Sequence, residues 1–200
     1  MLLVIDSATA ACSAALLGPD GDIIDQRHEI VGRGHAERLL PMIAELLGER
    51  IPTSILVDCG PGSFTGVRVG LAAAHGLAIG WRVPLAGYSS LALLAATCGE
   101  PDVAVALVGG HGEIFVQSYG GDPIAPLDEL RSLAPEQAAA SVSAALVLGS
   151  GAETLVAARG SGRAVDALPR AADARLLPPA LRALPPRPIY GRAPDAKPMT

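Results

Sequence analysis

The sequence predicts an α/β protein of two lobes: a mixed sheet with flanking helices in the first, and an abbreviated version of it in the second. Three observations lead there. Three strand-like runs, the first two of them apolar, open the chain, and helix-like and strand-like segments then alternate. Near residue 35 the apolar spacing changes from strand-like to helical. After Glu100-Pro-Asp102 a similar order starts again in shorter form, without a strict sequence repeat.

Residues 2–5, 12–17 and 23–30 read as strands, and Gly18-Pro-Asp-Gly-Asp22 is the turn between the last two. In residues 35–47 the apolar positions Leu39, Leu40, Met42, Ile43, Leu46 and Leu47 fit a helix, with a kink expected at Pro41. Residues 55–58 are strand-like, 65–79 helical, 84–87 a short strand, and 89–97 a helix with Ser89 as its N-cap. In the second half, residues 103–108 and 113–119 read as a hairpin around Gly109-Gly-His-Gly112, and 120–126 as a loop. Pro135 marks a helix start, 145–148 a strand and 153–158 a helix. From Pro169 the density of prolines argues against regular order. The expected domains are residues 1–100, residues 101–184, and a proline-rich tail over 185–200 able to pack back on the first lobe.

Half of the 200 residues are hydrophobic and only 3% are aromatic, so the core is expected to be aliphatic and alanine-rich. The net charge is −5, which lacks the basic footprint of a chain that grips nucleic acid unaided. Residues 159–200 hold eight Lys or Arg against three Asp, whereas residues 1–158 hold seven against seventeen acidic residues. An acidic body therefore carries a basic tail. Cys12, Cys59 and Cys98 show no CxxC spacing and fit reduced thiols. No basic segment precedes the first apolar run, and the apolar stretch 83–99 is short and broken, so neither a signal peptide nor a membrane span is expected and a cytoplasmic location is.

The most distinctive string is Gly60-Pro-Gly-Ser-Phe-Thr-Gly-Val-Arg-Val-Gly70, between a strand and a helix. That is where α/β folds set phosphates on a helix N-terminus. Yet Val67-Arg68 stands where a Walker A loop has Lys-Ser/Thr, and Thr65 breaks the dinucleotide fingerprint G-x-G-x-x-G. Ser63 directly follows Gly62, so it does not sit in a G-x-S-x-G elbow. His28, His35, His75 and His111 are scattered, which argues against zinc. Asp6 ends the first strand among Ser7, Thr9 and Ser13, but no basic residue in 1–15 accompanies it. Strand-end hydrogen bonding is the expected role of Asp6. Asp6, Gly60, Gly62 and Ser63 remain the weak candidates for a cofactor; neither cofactor, metal nor catalytic residue is expected.

With that string, Val4-Ile-Asp6-Ser-Ala-Thr9, His35-Ala-Glu-Arg-Leu-Leu-Pro41 and Pro188-Ile-Tyr190-Gly-Arg192, the chain resembles the TsaB family, densely over residues 1–95 and thinly over 100–185. The resemblance implies the actin-like (ribonuclease H-like) fold shared with sugar kinases and the Hsp70 ATPase. It implies a non-catalytic subunit in the formation of threonylcarbamoyladenosine on tRNA. A TsaD-like catalytic subunit would be the partner, a TsaE-like ATPase would join them, and tRNA would be met only through the complex. The alternatives are a small kinase or ATP-binding enzyme of the same superfamily, and a homodimeric structural protein.

The helix 65–79 is apolar nearly all round, and Gly66, Gly70 and Gly76 suggest close backbone approach. The apolar arc of 35–47 is also wide. Two neighbouring helices with surplus apolar surface read as a partner interface, expected to involve Leu39, Met42, Leu46, Arg68, Leu71, Ala72, His75 and Ile79. The same surface is expected to pair two copies of the isolated chain.

Overall fold

The computed structural model describes residues 1–191. Two sheets form, and they repeat one topology. The first has the order β3-β2-β1-β4-β5, with β1 (Leu2–Asp6), β2 (Ala11–Leu17) and β3 (Ile23–Ile30) antiparallel, and β4 (Ser54–Asp58) and β5 (Leu85–Tyr88) added in parallel. The second has β6 (Asp102–Val108) and β7 (Ile114–Gly120) as its hairpin, β8 (Ala125–Pro126) and β9 (Arg131–Leu133) on the β7 side, and β10 (Leu146–Leu148) and β11 (Arg163–Val165) in parallel beyond β6.

The helices fall at matching places. α1 (His35–Leu47) and α2 (Phe64–Trp81) belong to the first unit, and α4 (Pro135–Ser141) and α5 (Ala152–Arg159) to the second. α3 (Ser90–Ala96) passes between the two sheets. Strand alternation sorts the side chains into three cores. Leu3, Ile5, Leu16 and Val57 face α1 and α2. Val4, Leu17 and Leu56 face the other way and meet α3 and Val103, Val105 and Leu107 of β6. Ala104 and Ala106 turn to the outer helices of the second lobe.

α1 has the expected bounds and remains one helix through Pro41. Ser89 stands at the N-cap of α3, though its side chain makes no capping bond. The region from Pro169 departs from expectation. Two 3-10 turns, Ala171–Leu176 and Pro179–Arg182, lie there, and Ala171, Ala172, Ala174 and Leu177 are buried in the core between the sheets. Small alanines fit this narrow space, and the Ser13 hydroxyl accepts the Ala171 amide at 2.9 Å. The chain thus rejoins the first lobe at 171, earlier than the expected 185. The motif residue Arg192 and the rest of 192–200 lie outside the described residues. Among the described residues no helix is long and apolar enough to cross a membrane.

Candidate functional site

The glycine string is a packing seat. Gly62 and Gly66 lie beneath the β1–β2 turn: a Cβ on Gly62 would overlap the Ala8 carbonyl oxygen, and one on Gly66 the Ser7 carbonyl oxygen. The Ser63 amide donates to Ala8 O at 2.7 Å, and the Ser7 hydroxyl donates to Gly66 O at 2.9 Å. Ser63 caps α2, its Oγ accepting the Gly66 amide at 3.2 Å. Gly60 takes φ of +89°, a region that favours glycine. Gly70 also abuts the turn, at the flexible Ser7 Oγ. Gly76 corrects the expectation, since it is exposed and nothing lies near a Cβ placed there.

Asp6 is fully buried and turned away from solvent. Its Oδ2 accepts from the Tyr88 hydroxyl at 3.0 Å and its Oδ1 from the Ala8 amide at 3.4 Å. Beside it stands Asp58, which the sequence reading did not single out. Ile5 pairs with Val57, and Asp58 with Tyr88, so the three side chains end adjacent parallel strands. Asp58 accepts from the Gly60 amide at 2.7 Å and the Ser90 hydroxyl at 2.6 Å. The signal was present in retrospect: Val4-Ile-Asp6 and Leu56-Val-Asp58 are matching apolar runs ending in Asp.

Burial raises the Asp58 carboxyl well above the ordinary range, and the neighbouring Asp6 charge raises it further. Burial also raises Asp6, against the lowering effect of its hydrogen bonds. The pair therefore keeps a proton in the fold that it releases on unfolding above the ordinary carboxylate pKa of about 4. Its stabilisation is complete below that pH and is lost as pH rises through the raised folded value, at about 1.4 kcal/mol per pH unit for one proton. Asp58→Asn, which needs no proton, should flatten this slope and raise the melting temperature at alkaline pH. Thermal melts from pH 4 to 9 check it; equal slopes in both proteins would refute the shared proton.

α2 carries an outward stripe at helical spacing: Phe64, Arg68, Ala72, His75 and Ile79. Phe64 is 64% exposed and Ile79 77%. Arg68, Ala72, His75 and Ile79 thus lie on the surface as expected. Leu39, Met42, Leu46 and Leu71 do not: all four are buried in the first lobe's own core. The reason is the sheet beneath them. Cys12 and Ala14 of β2 are small, so the large side chains of α1 are taken up in covering it. On α1 the exposed apolar positions are Ala36, Leu40, Pro41 and Ala44.

Residues 184–191 run beside α2 as a strap. Gly87 and Leu184 exchange backbone hydrogen bonds of 2.7 and 3.0 Å, and the Ile189 amide donates to Cys59 O at 2.8 Å. His75 Nε2, with its hydrogen on that nitrogen, bonds Pro186 O at 3.0 Å, and Arg68 donates to the Tyr190 hydroxyl at 3.0 Å. Burial pushes the Cys59 thiol beneath the strap up to about 12, which keeps it protonated and unreactive.

Between the lobes lies a cleft of about 1080 Å³, bordered by Thr9, Ser63, Arg68, Gly109, Ser150 and Tyr190 among others. Of the weak cofactor candidates, Gly62 and Ser63 reach it, whereas Asp6 and Gly60 do not border it. Among the described residues no group of three His, Cys, Asp or Glu is placed to hold a metal ion.

Residues 25–175 match the family model described as TsaD, tRNA N6-adenosine threonylcarbamoyltransferase. The chain is 37% identical over 130 residues to the tRNA threonylcarbamoyladenosine biosynthesis protein TsaB of Escherichia coli, a match covering 60% of this chain and 55% of that protein. It thus spans only about half the length of that curated relative. The structure of YeaZ from Pseudomonas aeruginosa superposes with a TM-score of 0.79 at 32% identity, over 94% of this chain and 98% of that one. The ethanolamine utilization protein EutJ of Carboxydothermus hydrogenoformans superposes at 0.51 over 88% and 89% of the two chains, with 14% identity, a likeness of fold alone.

Proposed function

The chain belongs to the TsaB family, and on that premise we propose that it is the non-catalytic partner subunit of the assembly that forms threonylcarbamoyladenosine on tRNA. In this reading the outward face of α2 docks a TsaD-like catalytic subunit, a TsaE-like ATPase joins the pair in the cytoplasm, and tRNA is met only through them. The observation that carries it is the stripe itself. Phe64, Ala72 and Ile79 stand exposed in one row, with exposed Leu40 on the neighbouring α1. Apolar side chains grouped in this way on a surface mark an interaction site. The non-catalytic half of the reading is supported by Asp6, whose carboxylate is enclosed with Tyr88 and Asp58, and by Ser63, whose hydroxyl caps a helix.

The test is reconstitution. The purified chain mixed with the TsaD-like subunit should elute as a stable complex, and cells lacking the chain should hold tRNA without the modified adenosine. A chain that neither binds that subunit nor is needed for the modification would overturn the proposal. Alone, the chain is expected to self-associate through the same face, and sedimentation as a monomer at tens of micromolar, a concentration that detects weak dimers, would count against that.

The interlobe cleft favours a second reading, in which the chain itself turns over a nucleotide. On the proposed reading the isolated chain should hydrolyse ATP no faster than buffer. A steady ATP turnover by the purified chain would favour the enzyme instead.

A further inference from the structure

The stripe and the strap meet at one end of α2, where three side chains form a cluster. The Arg68 guanidinium lies 3.2 Å from the centroid of the Phe64 ring and 5.9 Å from that of Tyr190, while donating to the Tyr190 hydroxyl at 3.0 Å. Tyr190 is 59% exposed, so the cluster is a raised surface feature. A guanidinium has five N–H donors in a fixed fork. One of them goes to Tyr190, and among the described residues Arg68 forms no ion pair. α2 contains neither Asp nor Glu, although residues 1–158 carry seventeen acidic residues against seven basic ones.

We propose that Phe64, Arg68 and Tyr190 anchor the docking surface, and that they receive a carboxylate carried beside an apolar side chain on the partner protein. The inference rests on the docking reading above and adds the chemistry that the partner must present. An arginine edge aligned on an aromatic ring matches a carboxylate fork-to-fork. Arg, Tyr and other aromatics are the residue types that dominate interface energetics when they stand together. The strap supplies the rigidity. The Ile189–Cys59 bond fixes the backbone next to Tyr190, and the His75–Pro186 bond fixes it four residues earlier. Tyr190 therefore holds Arg68 in place before any partner arrives, which lowers the ordering cost of binding.

Affinity for the purified TsaD-like subunit, measured at low and high salt, tests this. Arg68→Gln should bind about thirtyfold more weakly, the loss typical of a hot-spot residue, and should lose most of the salt dependence of the wild type. Tyr190→Phe, which keeps the ring and loses the hydroxyl, should show a smaller loss than Tyr190→Ala. Circular dichroism should be unchanged in all three, because these side chains are exposed. If Arg68→Gln binds with wild-type affinity and salt dependence while Ala72→Arg fails to bind, α2 docks but no carboxylate meets Arg68, and the inference is overturned alone. If neither variant weakens binding, the docking reading falls with it.

Discussion

Gly66→Ala is expected to cost about 3 kcal/mol, near the upper end of overpacking penalties, and to lower the melting temperature by about 10 °C for a chain of this size. The added methyl group meets the Ser7 carbonyl oxygen, which is backbone and cannot rotate away. That carbonyl belongs to the β1–β2 turn, which is itself tied to the string through the Ser63–Ala8 and Ser7–Gly66 hydrogen bonds. Relief would therefore have to come from lifting the turn off the helix. The same substitution nearly three turns further on has the opposite sign. Gly76→Ala meets open space and replaces a poor helix former, so it should stabilise by about 1 kcal/mol. Thermal melts of the two variants form one experiment, and shifts in the same direction would refute the packing seat.

Ala72→Arg should abolish partner binding while leaving the fold intact. Ala72 is exposed in the middle of the stripe, between Arg68 and His75, and its small side chain allows a neighbouring helix to approach closely. A long cation there is accommodated by water in the free chain. Once a partner covers it, the charge is buried without a counter-ion, at a cost of about 3–5 kcal/mol. That corresponds to an affinity loss of more than about a hundredfold. Calorimetric titration of the TsaD-like subunit should show no measurable heat, with an unchanged circular dichroism spectrum, and tRNA from cells carrying the variant should lack the modified adenosine. Wild-type affinity would show that docking uses another face.

Much of the actin-like fold was legible because its elements are long enough to show a period. The thirteen residues of α1 and eight of β3 have the expected bounds. Arg131–Leu133 and Arg163–Val165 were missed, since three residues cannot display alternation. The ordered region after Pro169 was hidden for another reason. Its alanines and prolines look like a linker, and only the gap between two sheets makes burying them favourable. The candidate site was legible where one helix determines it: Arg68, Ala72, His75 and Ile79 follow from helical spacing. Leu39, Met42 and Leu46 were misplaced because the width of an apolar arc does not tell whether the sheet below is built of small residues or large ones. The Arg68–Tyr190 contact joins positions far apart in sequence, and no local pattern encodes it.

The strap also sets an order of events during synthesis. Leu184 pairs along the outer edge of β5, and Ile189 bonds to Cys59 at the end of β4, so the first lobe is completed by nearly the last described residues of the chain. A chain not yet made as far as residue 184 lacks the partner of Gly87 at the outer edge of β5 and the strap over the Cys59 thiol. A strand edge in that state is a template for another chain. The early half of the chain is therefore translated well before the segment that closes it.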